Sequence, residues 1–205
     1  MPLGAMLALI RIMPNGLRER VCPDLRAWCA AALAALVALA AMASSIAATD
    51  PLAEGKAAYA RGDYLRAVQQ LLPLAQAGDA EAQVRVGLMY FMGLGVAEDD
   101  SAAFQWFQRS ALQGNAEAQY HLGNMYAFGH GVPAEVTDPD RMAAKWYFES
   151  AQQDYADAQY SLGIMFFSGK GVVRDSEEAV KWFRRAANNG HADAQRFIGA
   201  IAAPR

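Results

Sequence analysis

Past residue 29 the chain has no cysteine. The two that exist, Cys22 and Cys29, fall in an N-terminal segment, so the remainder has neither a disulfide framework nor a thiolate metal site. Charge is also scarce: 19% of residues are charged, and the formal net charge is -3. The first 48 residues hold four Arg, one Asp and one Glu, leaving 14 basic and 19 acidic residues, a net of -5, for the rest. A mildly acidic surface argues against nucleic acid, which selects a basic patch to replace counterions. Histidine is limited to His121, His130 and His191, which share no i, i+4 spacing, so no metal ligation is expected. No G-x-S-x-G, Walker or H-E-x-x-H string is present. Ser101, Ser110, Ser150, Ser161, Ser168 and Ser176 are the serine nucleophile candidates, and none has a partnered base visible in sequence. The expectation is no catalytic residue, no cofactor and no enzyme.

The N-terminal segment has its own pattern. Arg11, Arg18, Arg20 and Arg26 precede 17 uncharged residues, Ala27 to Ala43, and the uncharged run continues to Thr49. It closes on Ser45-Ile46-Ala47-Ala48, small residues at which a signal peptidase cuts. A positive start, an apolar stretch and such an end read as a secretory signal peptide, with Met6 or Met13 as alternative starts for the long basic region. The competing reading is an uncleaved inner-membrane anchor through residues 27–48, since a span needs roughly 17–25 residues. Ten of the 17 residues are the weakly hydrophobic Ala, which favours cleavage. Both readings place the remainder outside the cytoplasm, in the periplasm.

What the rest of the chain has is repetition. Ala80-Glu-Ala-Gln-Val-Arg-Val-Gly87 returns as Ala116-Glu-Ala-Gln-Tyr-His-Leu-Gly123, Ala156-Asp-Ala-Gln-Tyr-Ser-Leu-Gly163 and Ala192-Asp-Ala-Gln-Arg-Phe-Ile-Gly199, at intervals of 36, 40 and 36 residues. A period of that size marks a stacked array of repeats. Each unit predicts two helices. The first, over about 80–92, 116–128 and 156–168, carries a mid-helix glycine at 87, 123 and 163. Glycine there costs about 1 kcal/mol against Ala, so a neighbouring helix backbone is expected to need the room. Tyr90, Tyr126 and Phe166 follow three residues on. Gly93-Leu94-Gly95-Val96, Gly129-His130-Gly131-Val132 and Gly169-Lys170-Gly171-Val172 then reverse the chain, with Val plugging the turn. The second helix starts at Asp99 or Asp100, at Asp138 before Pro139, and at Asp175. It presents Ala103, Ala143 or Ala179, and three on Trp106, Trp146 or Trp182, which read as core. Gly78, Gly114 and Gly190 end second helices as left-handed caps, and Asp154 takes that place in the middle unit. Four extra residues of the middle unit are assigned to the loop Pro133–Thr137.

The expected organisation is a signal peptide or anchor over 1–48, a capping helix hairpin over 49–79, and the region 80–205. The last holds units 80–115, 116–155 and 156–191 and a C-terminal capping helix from Ala192 to about Ala202. In the first hairpin, Asp50-Pro51 opens a helix, Arg61-Gly62-Asp63 turns, and Pro73 is expected to kink the helix that follows Tyr64.

The pattern A-x-A-x-x-x-L-G-x-x-Y-x-x-G-x-G-V, then Asp, A-x-x-W and A-A-x-x-x-G, resembles the Sel-1-like repeat, a relative of the tetratricopeptide repeat. The match covers residues 80–199, with Val86 for Leu, Phe166 for Tyr and Asp154 for Gly as departures. Residues 52–78 fit more loosely as a tetratricopeptide-like cap. The resemblance implies an all-α fold, a right-handed α/α superhelical solenoid, whose members act as adaptors for proteins or peptides on the concave face. It also implies links of exported bacterial relatives to envelope signalling, secretion or virulence.

Helix positions one, five, eight and twelve of each unit form a stripe. They give Glu81, Arg85, Leu88 and Met92, then Glu117, His121, Asn124 and Phe128, then Asp157, Ser161, Ile164 and Ser168. Side by side these stripes would line the groove. Arg85, Leu88, Met92, His121, Asn124, Phe128 and Ile164 are therefore the candidate partner-binding residues, with Leu88, Met92, Phe128 and Ile164 for apolar contact and the others for polar specificity. The competing reading makes Leu88, Met92 and Ile164 core. Glu98-Asp99-Asp100 reads as a cap and solvated turn, and Glu177-Glu178 with Lys181, Arg184 and Arg185 as an exposed paired face. The leading function is an exported interaction scaffold or regulator with a protein or peptide partner. A hydrolase of cell-wall material and a membrane-anchored structural protein are the alternatives.

Overall fold

A computed structural model describes residues 50–202; the expected signal or anchor segment and both cysteines lie outside the described residues. Nine helices and no strand occur among the described residues. They are α1 (Pro51–Ala60), α2 (Tyr64–Gln76), α3 (Ala80–Met92), α4 (Asp100–Leu112), α5 (Ala116–Phe128), α6 (Pro139–Gln152), α7 (Ala156–Ser168), α8 (Ser176–Asn188) and α9 (Ala192–Ala202). Each helix packs on the one before it and the one after it, so hairpins stack in chain order as a solenoid.

Local chemistry sets the boundaries. Asp50, Asp63, Asp79, Asp99, Asn115, Asp138 and Asp175 each accept a hydrogen bond from a first-turn backbone N–H. Each such cap contributes about 1 kcal/mol. The first helix of every full unit stops at a glycine with positive φ: Gly93, Gly129 and Gly169. Helix α2 runs through Pro73 to Gln76.

Close packing follows from alanine. Ala82, Ala103, Ala118, Ala143, Ala158 and Ala179 have no exposed surface, and a methyl group lets neighbouring helices approach. Trp146 and Trp182 are buried and Trp106 packs half-buried against the core, as expected. Arg109, Lys145 and Arg185 each lie over the ring of their own unit's Trp, 4.7–5.2 Å from its centroid.

The mid-helix glycines work differently from the expectation. The atoms nearest a Cβ on Gly87, Gly123 or Gly163 would be ring carbons rather than a neighbouring helix's backbone: it would stand 2.6–2.8 Å from the ring of Phe107, Tyr147 or Phe183. Each glycine is a notch for the aromatic that follows the Trp on the second helix. The second glycine of each turn is the one that meets backbone. A Cβ there would stand 2.7 Å from the Tyr64 carbonyl oxygen at Gly95, and 2.2 Å from the carbonyl oxygens of Asp100 and Asp140 at Gly131 and Gly171. The turn of each unit is thus seated on the start of the previous unit's second helix.

A polar ladder runs through the stack. Gln83, Gln119, Gln159 and Gln195 each donate to a carbonyl of the preceding second helix, at Ala75, Ala111, Ala151 and Ala187. Gln113, Gln153 and Asn189 donate in turn to Gln83, Gln119 and Gln159, at 2.7–2.9 Å. Ser110 and Ser150 are buried and donate to the Ala80 and Ala116 carbonyls at 2.7 Å. Those two serines tie helices together.

Asp154 is the one non-glycine residue at positive φ among the described residues, at 61°. Its carboxylate accepts from Arg185, Asn189 and Gln159, and these bonds, Arg185 first, hold its pKa below the usual value. Both features predict a rank order of melting temperatures. Asp154→Asn is expected to stay nearest the parent, because it keeps an acceptor and tolerates the left-handed backbone. Asp154→Gly should fall below it and Asp154→Ala lowest, having neither property. A thermal scan of the three variants reads the order.

The four extra residues of the middle unit are not all in the loop. Asp138 precedes Ala143 by five positions, where Asp99 and Asp175 precede Ala103 and Ala179 by four, so one extra residue sits in the first turn of α6.

Candidate functional site

The stripe residues come from α3, α5 and α7, which lie side by side, but they do not share one condition. The polar members are largely engaged between units. Arg85 makes a two-point bond to Glu117, Nη1 to Oε1 at 2.9 Å and Nη2 to Oε2 at 3.1 Å. Lys56 pairs with Glu81 through one carboxylate oxygen across the preceding joint, and His191 Nε2 stands 3.6 Å from Asp157 Oδ1 across the last one. The acidic first member of every stripe is therefore paired with a basic side chain from the next-door unit or cap.

His121 stacks on Phe107 with centroids 5.0 Å apart, beside Arg85. Burial, with the Arg85 charge second, drives its pKa from the usual 6.5 to about 4. Glu117 Oε1 is 4.0 Å from His121 Nε2, which taken alone would favour the cation. Burial and Arg85 prevail, because both Glu117 oxygens are already held by the guanidinium. His121 is a neutral, packed imidazole near pH 7.

Asn124 accepts a 2.6 Å hydrogen bond from the Tyr147 hydroxyl. Burial raises the Tyr147 pKa, so the phenol stays a donor. The bond fixes the Asn124 amide and leaves its NH2 group for another acceptor. Leu88 packs half-buried against the core. Phe128, Met92 and Ile164 are the open apolar members, 73%, 47% and 45% exposed.

Phe128 and Asn124 line two adjoining hollows. One, of about 210 Å3, is closed by Phe91, Phe107, His121 and His130. The other, of about 460 Å3, extends to Tyr160, Ser161, Ile164 and Ser168 on α7. The structure thus brings His121, Asn124, Phe128 and Ile164 to one continuous surface. Arg85, Leu88 and Met92 line neither hollow. No group of three or more His, Cys, Asp or Glu is arranged for a metal ion among the described residues, and no described helix is long and apolar enough to cross a membrane.

The family model described as Sel1 repeat matches residues 80–115, 116–155 and 156–191, more than half of the chain. The chain belongs to the Sel1 repeat family. Solved structures agree. A Sel1 repeat protein from Oxalobacter formigenes is 33% identical with a TM-score of 0.68, over 75% of this chain and 59% of its own. A protective antigen of uropathogenic Escherichia coli strains displaying an SLR fold is 32% identical with a TM-score of 0.67, over 81% of this chain and 36% of its own. The present chain thus spans about three fifths and about a third of the length of these two. Helicobacter pylori cysteine rich protein B, 23% identical with a TM-score of 0.51 over 66% of this chain and 94% of its own, shares the fold. A search of curated proteins finds no match.

The fold is accordingly the right-handed α/α solenoid of Sel1 repeats. Proteins of this family are generally interaction scaffolds and typically non-enzymatic. Within this Sel1 array, sequence reasoning gave no role to Tyr120, Tyr147 and Tyr160, which line the larger hollow. Tyr120 and Tyr160 had a signal, aromatics at one phase of successive first helices.

Proposed function

We infer that this chain is an exported scaffold or regulator that holds a segment of a protein or peptide partner on the concave face of the solenoid, along α5 and α7. The observation that carries this reading is Phe128, an aromatic side chain 73% exposed between two hollows. An aromatic left open beside an oriented amide is the type of residue that anchors a partner segment. Ile164 extends the apolar strip onto α7. Export rests on residues 1–48, whose arginines, uncharged run and closing Ala-Ala carry the signal described above.

Phe128→Asp is expected to leave the melting temperature unchanged and to weaken capture of the partner by roughly 10-fold or more, the usual effect of losing a central anchor. The measurement is quantitative pull-down from the exported fraction by immobilised parent and variant. Equal capture at equal stability would refute the groove. Arg85→Glu is a poor probe here, because it opposes two carboxylates across the joint of α3 and α5.

A further inference from the structure

The smaller hollow, of about 210 Å3, is walled almost wholly by rings. Phe107 and Met125, 1% and 2% exposed, form its floor. His121 stacks on Phe107, Phe91 and His130 meet edge to face with centroids 5.4 Å apart, and Phe128 stands open at the rim. Rings set offset or edge to face gain more from another ring than its buried area alone supplies. The space holds about seven water-sized groups at about 30 Å3 each, the size of a Phe or Tyr side chain and more than Leu can fill. An apolar space left partly filled loses contacts along its lining.

A ring-lined hollow can also hold a cation. This one disfavours positive charge. The imidazole of His121, part of its wall, is kept neutral by burial first and the Arg85 charge second. An ammonium group there would meet the same loss of water and the same guanidinium. The carboxylates that face the two histidines are already engaged, Glu117 by Arg85 and Asp100 by His130 at 3.0 Å. Asn124 adds a direction. Its oxygen accepts from the Tyr147 hydroxyl, which leaves the NH2 group as a fixed donor where the two hollows adjoin.

We propose that the partner segment inserts one neutral aromatic side chain, Phe or Tyr, into the Phe91–Phe107–His121–His130 hollow, while a backbone carbonyl of that segment accepts from the Asn124 amide. The segment then continues over the larger hollow along α7. This recognition rests on the groove reading above and adds the residue type that the groove selects.

The test passes a phage-displayed library of random short peptides over the immobilised full chain. Bound peptides are expected to share a Phe or Tyr at one position. In a synthetic peptide from that set, replacing the aromatic by Leu should weaken binding about fivefold, and replacing it by Ala or Lys at least tenfold, read by calorimetry. Asn124→Asp keeps an acceptor for Tyr147 but loses the donor, and should weaken binding about tenfold at an unchanged melting temperature. Ring-current shifts on binding should fall on the His121 ring protons and vanish with the Leu peptide. Equal affinity of the Leu or Lys peptides, with binding still lost in Phe128→Asp, would overturn the aromatic selection and leave the groove standing. Shifts confined to Tyr160, which lines only the larger hollow, would overturn it too. Binding that Phe128→Asp leaves intact, or a library that yields no binder, would overturn both readings.

Discussion

Gly131→Ala is expected to lower stability by roughly 3–4 kcal/mol, and Gly129→Ala, two residues away, by only about 1–2. Both glycines have positive φ, 61° and 78°, so both variants incur the left-handed penalty of about 1–2 kcal/mol for an L side chain. Their surroundings separate them. A Cβ on Gly129 meets nothing within 4 Å, whereas one on Gly131 stands 2.2 Å from the Asp100 carbonyl oxygen and 2.5 Å from its carbon. That atom belongs to the first turn of α4, which the Asp99 carboxylate pins by accepting from Ala102 N–H at 2.9 Å. The clash cannot be relieved by turning a side chain; the turn of one unit must lift from the helix of the previous one. Overpacking of this kind adds about 1–3 kcal/mol. Urea unfolding of both variants reads the difference. Gly171→Ala, facing the Asp140 carbonyl at the same 2.2 Å, should behave like Gly131→Ala. Equal losses at Gly129 and Gly131 would mean that the seat on α4 is not what requires glycine there.

The turn illustrates what was legible in advance. Two glycines one residue apart, recurring three times, announce a reversal, and spacing alone gives the hairpins, the caps at Asp99, Asp138 and Asp175, and the left-handed Asp154. Such features depend on nearby residues, so the sequence contains them. Which atom fills each notch is a long-range matter. The mid-helix glycine was read as room for backbone because a missing Cβ does not say what replaces it; the ring of Phe107, Tyr147 or Phe183 comes from about twenty residues away. The glutamine ladder was missed for the same reason, although Gln83, Gln119, Gln159 and Gln195 stand at one phase of four units. A buried amide gains meaning only once the Ala75 or Ala111 carbonyl is placed beside it.

The stripe shows the limit most clearly. Of positions one, five, eight and twelve of the first helices, His121, Asn124, Phe128 and Ile164 line the two hollows while Arg85, Leu88 and Met92 do not, and their chemistry is divided between holding the stack and facing solvent. Arg85 and Glu117 satisfy each other, and Tyr147 orients Asn124, so polar character in the sequence stood partly for joints between repeats. Phe128 and Ile164 are the members whose exposure fits the groove reading. Composition cannot distinguish a guanidinium paired across a joint from one awaiting a ligand, because the partner carboxylate lies 32 residues along the chain.

The joint between α3 and α5 has a consequence for acid stability. His121 ionises near 6.5 in the unfolded chain, but burial and Arg85 depress its pKa to about 4 in the folded protein. Between those values the unfolded chain binds the extra proton, so stability falls as pH drops from 6.5 towards 4 and is unaffected by this group above 6.5. At pH 4.5 the loss from this one residue is roughly 2–3 kcal/mol, from the difference between the two pKa values at about 1.4 kcal/mol per unit, less the part not yet reached. The groups facing the ring are Arg85, whose charge opposes the imidazolium, and Glu117, whose oxygens the same guanidinium holds. His121→Gln removes the titration while keeping a polar side chain. The parent should lose roughly 2–3 kcal/mol more than this variant between pH 7 and pH 4.5, measured as the shift in urea midpoint at each pH. Carboxylates common to both proteins cancel in that comparison. Parallel pH profiles for parent and variant would show that His121 accepts its proton inside the folded stack, with the Arg85–Glu117 joint opening to let it do so.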